Sequence, residues 1–157
     1  MPIIKLEILI DAPIERVFDL SRCIDLHADS MNSYDERAVA GVTKGLINFG
    51  ETVTWEATHF GIRQKLTSII TVCDSPHHFQ DEMVSGAFKR LTHDHVFSET
   101  ESGTLLRDVF DYTSPLGPLG DLADALFLER YMTRMLDERN QLIKRIAEGD
   151  EWRRYLP

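Results

Sequence analysis

Between residues 51 and 113 the chain repeats one local pattern: apolar and polar residues alternate over a strand-length run, and a short turn follows. The runs are residues 51–60, 62–73, 78–84, 90–99 and 104–113. Gly61, Ser75-Pro76 and Glu101-Ser102-Gly103 mark turns between them. Connections this short hold no crossover helix, so the strands must pair as an antiparallel meander. The period of two assigns faces within each strand. Val53, Trp55, Ala57 and His59 share one face, and Thr54, Glu56, Thr58 and Phe60 the other. Leu66, Ile70 and Val72 share a face of the next run, and Phe79, Asp81 and Met83 alternate with Gln80, Glu82 and Val84.

The flanks add one strand and the helices. Residues 3–10 are β-branched and apolar and read as an opening strand. Asp11-Ala12-Pro13 offers an N-cap with proline at an early helical position. Val17, Phe18 and Leu20 then mark a short amphipathic helix, and residues 24–30 a second short helical segment. Gly41, Gly45 and Gly50 punctuate residues 38–50 as a strand, a turn and a return. Ser114-Pro115-Leu116-Gly117-Pro118 ends the sheet, and a helix is expected over 118–147, about 45 Å long. Its apolar face reads Leu119, Leu122, Leu126, Tyr131, Met135, Leu142, Ile143 and Ile146. Gly149 is a natural stop. Residues 150–157 are expected as a tail that Trp152 could tack down. The fold class is α+β, with one domain over residues 1–149.

The formal net charge of -9 and pI of about 5.1, with no cluster of Lys and Arg, argue against nucleic acid and anionic membrane surfaces as partners. Two cysteines, Cys23 and Cys73, lie in no CxxC pair and read as reduced thiols. The N-terminus enters strand sequence without a signal-peptide pattern, and no apolar run is long enough to span a bilayer. The expected location is therefore cytoplasmic. No GxGxxG, Walker or GxSxG sequence is present, which leaves nucleotide, hydride and serine-hydrolase chemistry unsupported.

The order of elements carries particular residues: Asp11-Ala12-Pro13 with Val17-Phe18, the run Gly50-Glu51-Thr52-Val53-Thr54-Trp55, Phe88 with His93-Asp94-His95-Val96-Phe97, and Asp108 with Tyr112 before Pro115-Leu116-Gly117. In these the chain resembles the START-like superfamily, also called the Bet v 1-like or polyketide cyclase/lipid-transport superfamily. The resemblance covers nearly the whole chain. It implies a helix-grip fold, in which a curved antiparallel sheet of about seven strands wraps a long C-terminal helix over a cavity. Two short helices follow the first strand. Members bind lipids, polyketides, hormones or aromatic rings; some transform the ligand and many only carry it.

His93 and His95 share a strand face with Leu91 and Phe97, roughly 6.6 Å apart. Leu106, Asp108, Phe110 and Tyr112 share a face of the next strand, which brings Asp108 near His95. This set could act as acid and base in an apolar cavity, or could satisfy itself and hold the sheet. HxH spacing also suits a metal, with His59 or Glu82 completing a set. START-like proteins rarely carry one, so no metal and no cofactor is expected. Asp81 and Glu82 point to opposite faces, so at most one looks inward; Glu82 is counted among the ligand-binding candidates.

The resemblance places His27 at a gate beside the cavity. Trp55 and His59 could wall it, together with Phe97, Phe110 and Tyr112 from the sheet and Phe127, Tyr131 and Met135 from the helix. The leading expectation is a module that binds or carries a small hydrophobic molecule. An aromatase/cyclase- or dehydratase-like enzyme using His93, His95 and Asp108 is the alternative, and a protein-interaction module a third. The chain is expected as a monomer or homodimer, without membrane insertion.

Overall fold

The computed structural model describes residues 2–157. Strand β1 (Ile3–Ile10) leads into helices α1 (Ile14–Ser21) and α2 (Ile24–Ser30) and a 3-10 turn at Asn32–Tyr34. Six strands follow: β2 (Arg37–Gly41), β3 (Thr52–His59), β4 (Ile62–Asp74), β5 (His78–Ser85), β6 (Arg90–Thr100) and β7 (Gly103–Thr113). They form one antiparallel sheet in the order β1-β7-β6-β5-β4-β3-β2, so β2 to β7 are the meander that the short turns require. The chain ends in α3 (Pro118–Ala123), a π-helical turn (Asp124–Leu128) and α4 (Glu129–Glu148), one helical rod of 31 residues, and then a 3-10 turn at Glu151–Arg154. The sheet is curved and the rod lies across it, as in the helix-grip fold.

Close packing explains the β6–β7 corner. Gly103 has φ +136°, and a Cβ there would come within 2.2 Å of the Ile10 carbonyl oxygen at the end of β1. Under α1, Phe18 meets Phe79 and Phe97 edge-on at 5.6 and 5.2 Å, and Ile143, Ile146 and Ala147 of α4 close the same core. A second cluster joins Ile4, Leu91, Phe110 and Tyr112 to Met132 and Leu136.

Several local expectations differ from what forms. Asp11 does not cap α1: the helix begins after Pro13 without a side-chain cap, and the Asp11 amide instead donates to the Glu148 carboxylate at 2.8 Å. Residues 38–50 yield only β2 and a loop, because the return is a single bridge between Leu46 and Cys23. In β4 the pairing passes over Thr71, so Ile70 faces Asp81 while Val72 pairs with Gln80. This bulge turns Val72 away from the core and brings Cys73 onto it, because one extra residue inverts every later side chain. Both cysteines are free.

The helix face also departs from its expected stripe. Leu119 is 68% exposed and Leu126 65% exposed, whereas Met132, Leu136, Ile143, Ile146 and Ala147 are buried. A π turn takes more residues per turn than an α-helix, so the apolar row before it no longer lines up with the row after it. Asp124, within that turn, is buried and accepts hydrogen bonds from Tyr112 Oη at 3.1 Å and Ser114 Oγ at 2.7 Å. Residues 150–157 fold back: Trp152, Tyr155 and Leu156 pack on the core, and Tyr155 Oη donates to Asp29 at 2.6 Å.

Candidate functional site

A cavity of about 290 Å³ lies between the inner face of the sheet and α4. The alternation of β3 builds one wall, since Val53, Trp55, Ala57 and His59 all line it. Leu66, Ser68 and Ile70 of β4 continue that wall. Tyr131, Met132, Met135 and Leu136 form the roof, and Phe60, lining the cavity yet more than half exposed, stands at its rim. The surface is chiefly apolar with a few convergent polar groups, the composition of a small-molecule site.

Those polar groups form two sets. At the first, the Oη of Tyr131 lies 2.8 Å from His59 Nδ1. Burial holds the His59 imidazole below its ordinary range and pushes the Tyr131 phenol up. Nearby, the His27 ring lies 4.3 Å over the Trp55 ring, and its Nε2 is 2.9 Å from the Glu36 carboxylate.

The second set is deeper and joins three strands to the helix. Asp108 Oδ1 lies 3.0 Å from His93 Nε2 and 3.0 Å from His95 Nδ1, while its Oδ2 accepts from Asn140 Nδ2 at 2.6 Å. His95 Nε2 is 3.0 Å from Asp81 Oδ2. Arg139 reaches in from α4, with Nη1 3.9 Å from Asp108 Oδ1. His93, His95 and Asp108 are buried as the pairing and register of β5, β6 and β7 dictate, and Arg139 and Asn140 of α4 are buried against them.

The electrostatics follow from this wiring. Burial alone would raise the Asp108 carboxyl, but hydrogen bonds from both histidines hold it well below the usual carboxylate range. Burial likewise opposes charge on Asp81, yet its hydrogen bond with His95 leaves it below the ordinary value. Burial depresses both imidazoles. In His95 the two carboxylates reverse this and raise it; in His93 the neighbouring His95 adds to it and the ring stays low. His95 thus lies between two carboxylates, and Arg139 Nη2 also approaches its Nδ1, at 3.5 Å. Among the described residues, His93 engages a partner only through Nε2. No buried side-chain nitrogen or oxygen among the described residues lacks a partner, so His93 Nδ1 opens to the cavity.

The structure brings His27, Trp55, His59, His93, His95, Phe110, Tyr131 and Met135 to the cavity lining, with Asp108 directly behind His93 and His95. It does not bring Glu82, Phe97, Tyr112 or Phe127. Glu82 points away because Asp81 takes the inward position beside Phe79. Phe97 is spent on packing against Phe18, and Tyr112 on Asp124. Phe127 sits along a separate open groove with Leu6 and Leu126 and meets Phe60 edge-on at 5.5 Å. Sequence reasoning missed Asp81, Arg139 and Asn140. The signal for the last two was there: they interrupt the stripe between Leu136 and Ile143 at helical spacing, and polar groups so placed must find buried partners.

Solved structures share this fold at low identity. A protein of Thermus thermophilus superposes with a TM-score of 0.76 at 18% identity, over 93% of this chain and 97% of that one. A Chromobacterium violaceum protein gives 0.73 at 12% identity, over 94% and 99%. Major latex-like protein 151 from Panax ginseng gives 0.69 at 12% identity, over 94% and 98%. No curated protein matches the chain by sequence. No helix of the described residues is long and apolar enough to cross a membrane. The family model for polyketide cyclase / dehydrase and lipid transport matches residues 1–148, and the chain therefore belongs to that family.

Proposed function

We propose that the protein binds a small, largely apolar molecule inside the cavity, its polar end against Asp81, His93 and His95. The observation that supports this most is the apolar space of about 290 Å³ ending on that buried polar cluster. A ligand there gains about 25 cal/mol for each Å² of apolar surface removed from water, and the cluster selects its orientation. Native mass spectrometry of the purified protein, followed by displacement of an environment-sensitive apolar dye, tests the reading. One molecule per chain is expected, lost on Ala57→Phe, which fills the cavity beside Trp55. A dye that never enters the wild-type chain would overturn it.

A second reading is that the bound molecule is also transformed. His93 Nδ1 favours it, as an acceptor facing the cavity on a ring that Asp108 orients through Nε2. Such a group suits an enolisable ligand. His93, His95 and Asp108 would then be the residues to test. The test is product formation from the extracted ligand, with His93→Gln inactive but still dye-binding. Turnover that survives this substitution would remove His93 from the reaction.

A further inference from the structure

The polar wall of the cavity has the makings of a metal centre. One donor atom from each of Asp81, His93 and His95 lies within 4.8 Å of the other two. All three residues line the cavity. Asp108 stands behind the pair and meets both rings, at His93 Nε2 and His95 Nδ1. A carboxylate in that position fixes the ring orientation of metal-bound histidines and leaves each ring's other nitrogen for the ion. Those other nitrogens are His93 Nδ1, which has no hydrogen-bond partner among the described residues, and His95 Nε2, which already faces Asp81 Oδ2.

From this geometry we infer that Asp81, His93 and His95 bind a divalent first-row transition-metal ion, with the remaining coordination positions open to the apolar cavity. Two imidazoles and one carboxylate suit zinc or ferrous iron, and three protein ligands with an open position are the pattern of a reactive rather than a structural site. The charges agree. Two carboxylates, Asp81 and Asp108, face the single guanidinium of Arg139, so the cluster with neutral imidazoles carries a net negative charge that a cation offsets. Metal bonds of about 2.1 Å place neighbouring ligand atoms roughly 3.4 Å apart, so donors within 4.8 Å of one another must draw together by at most about 1.4 Å. The Asp81 side chain, 23% exposed, has room for that movement.

HxH spacing alone could not carry this conclusion, because the residues available to complete the set were His59 and Glu82. His59 is engaged by Tyr131, and Glu82 lies off the cavity. The third ligand is Asp81, across the β5–β6 ladder from His93. The ligand class sharpens accordingly. An oxygen donor on an apolar body, such as an enolate, phenolate or carboxylate, would complete the coordination. With an ion bound, His93 Nδ1 is a ligand and not a base, so the metal and the acid–base assignments exclude each other.

The test is a titration of chelator-treated full-length protein with Co²⁺, followed by competition with Zn²⁺. The expected result is one Co²⁺ per chain with visible d–d absorption, displaced by Zn²⁺. Asp81→Asn and His93→Gln should each weaken binding at least tenfold, on the order of a lost ligand. His78→Gln, in the His78–Asp94 pair outside the cavity, should leave it unchanged. Paramagnetic broadening of the His93 and His95 ring signals in the wild-type chain gives the same answer without any substitution. Wild-type protein that stays folded and binds neither ion would overturn the inference, as would binding that survives both substitutions. Dye uptake by the metal-free protein, measured in parallel, reports separately on the cavity.

Discussion

The two halves of the C-terminal helix meet the sheet in opposite ways. From Asn140 onward it is sealed: Ile143, Ile146 and Ala147 are buried in the larger core, α1 packs alongside, and the folded tail closes the end. Before Arg139 the roof is loose. Leu119, Leu122, Leu126 and Phe127 face outward, a π turn replaces regular helix, and Tyr131, Met132 and Met135 look onto the cavity. The stability of the fold sits under one half and the space for a ligand under the other. Arg139 and Asn140 fall at the boundary, where the helix reaches down to Asp108. A cavity costs the contacts that a filled core would make, so it is tolerated where the rest of the domain is packed tightly enough to hold the walls apart.

Substitutions can break this division. The largest effect is expected at the boundary: Asp108→Ala leaves Arg139 and two imidazoles without their shared carboxylate, and loss of one partner from such a buried network costs about 3–5 kcal/mol. Urea unfolding would measure it; a loss under about 1 kcal/mol would mean that the network contributes little to the fold. Next, Ile146→Ala in the sealed half should cost about 2–5 kcal/mol without weakening dye uptake. Reduced uptake at unchanged fold would mean that the halves are coupled.

His59 offers a smaller, pH-dependent effect on the open side. Its folded value is depressed by burial, so the unfolded chain takes up a proton first as pH falls. Its contribution is fully present above the unfolded value of about 6.5 and is lost as pH drops through the folded value. His59→Gln should flatten the decline in melting temperature between about pH 6.5 and 5; an unchanged slope would assign that decline to other groups. Smallest is Leu126→Ala on the outer surface of the roof, expected within about 0.5 kcal/mol of wild type. A cost above about 2 kcal/mol would mean that this leucine is covered in solution.

Much of the fold was legible because alternation is a local property. The grouping of Val53, Trp55, Ala57 and His59 on one face of β3 could be read directly, though not that this face is the inner one; the row His93, His95 facing Asp108 was also legible, since a two-residue hairpin sets the β6–β7 register. The candidate site was legible in part for the same reason. Its missing members come from across the structure. Asp81 or Glu82 could each have been the inward residue, and nothing within β5 alone decides which.

By itself the sequence determined the antiparallel meander, the helices around it and the apolar faces of most strands, because each depends on residues within a turn or two of one another. Only the tertiary structure decided three things. The bulge at Thr71 exchanged Val72 for Cys73, the π turn moved the leucines of the helix to the surface, and the packing of β5 against β6 chose Asp81 for the cavity. Each is a shift of a single register position. Its sign is set by which arrangement buries more apolar surface while leaving no buried polar group unpaired, a sum over the whole domain that no local stretch contains.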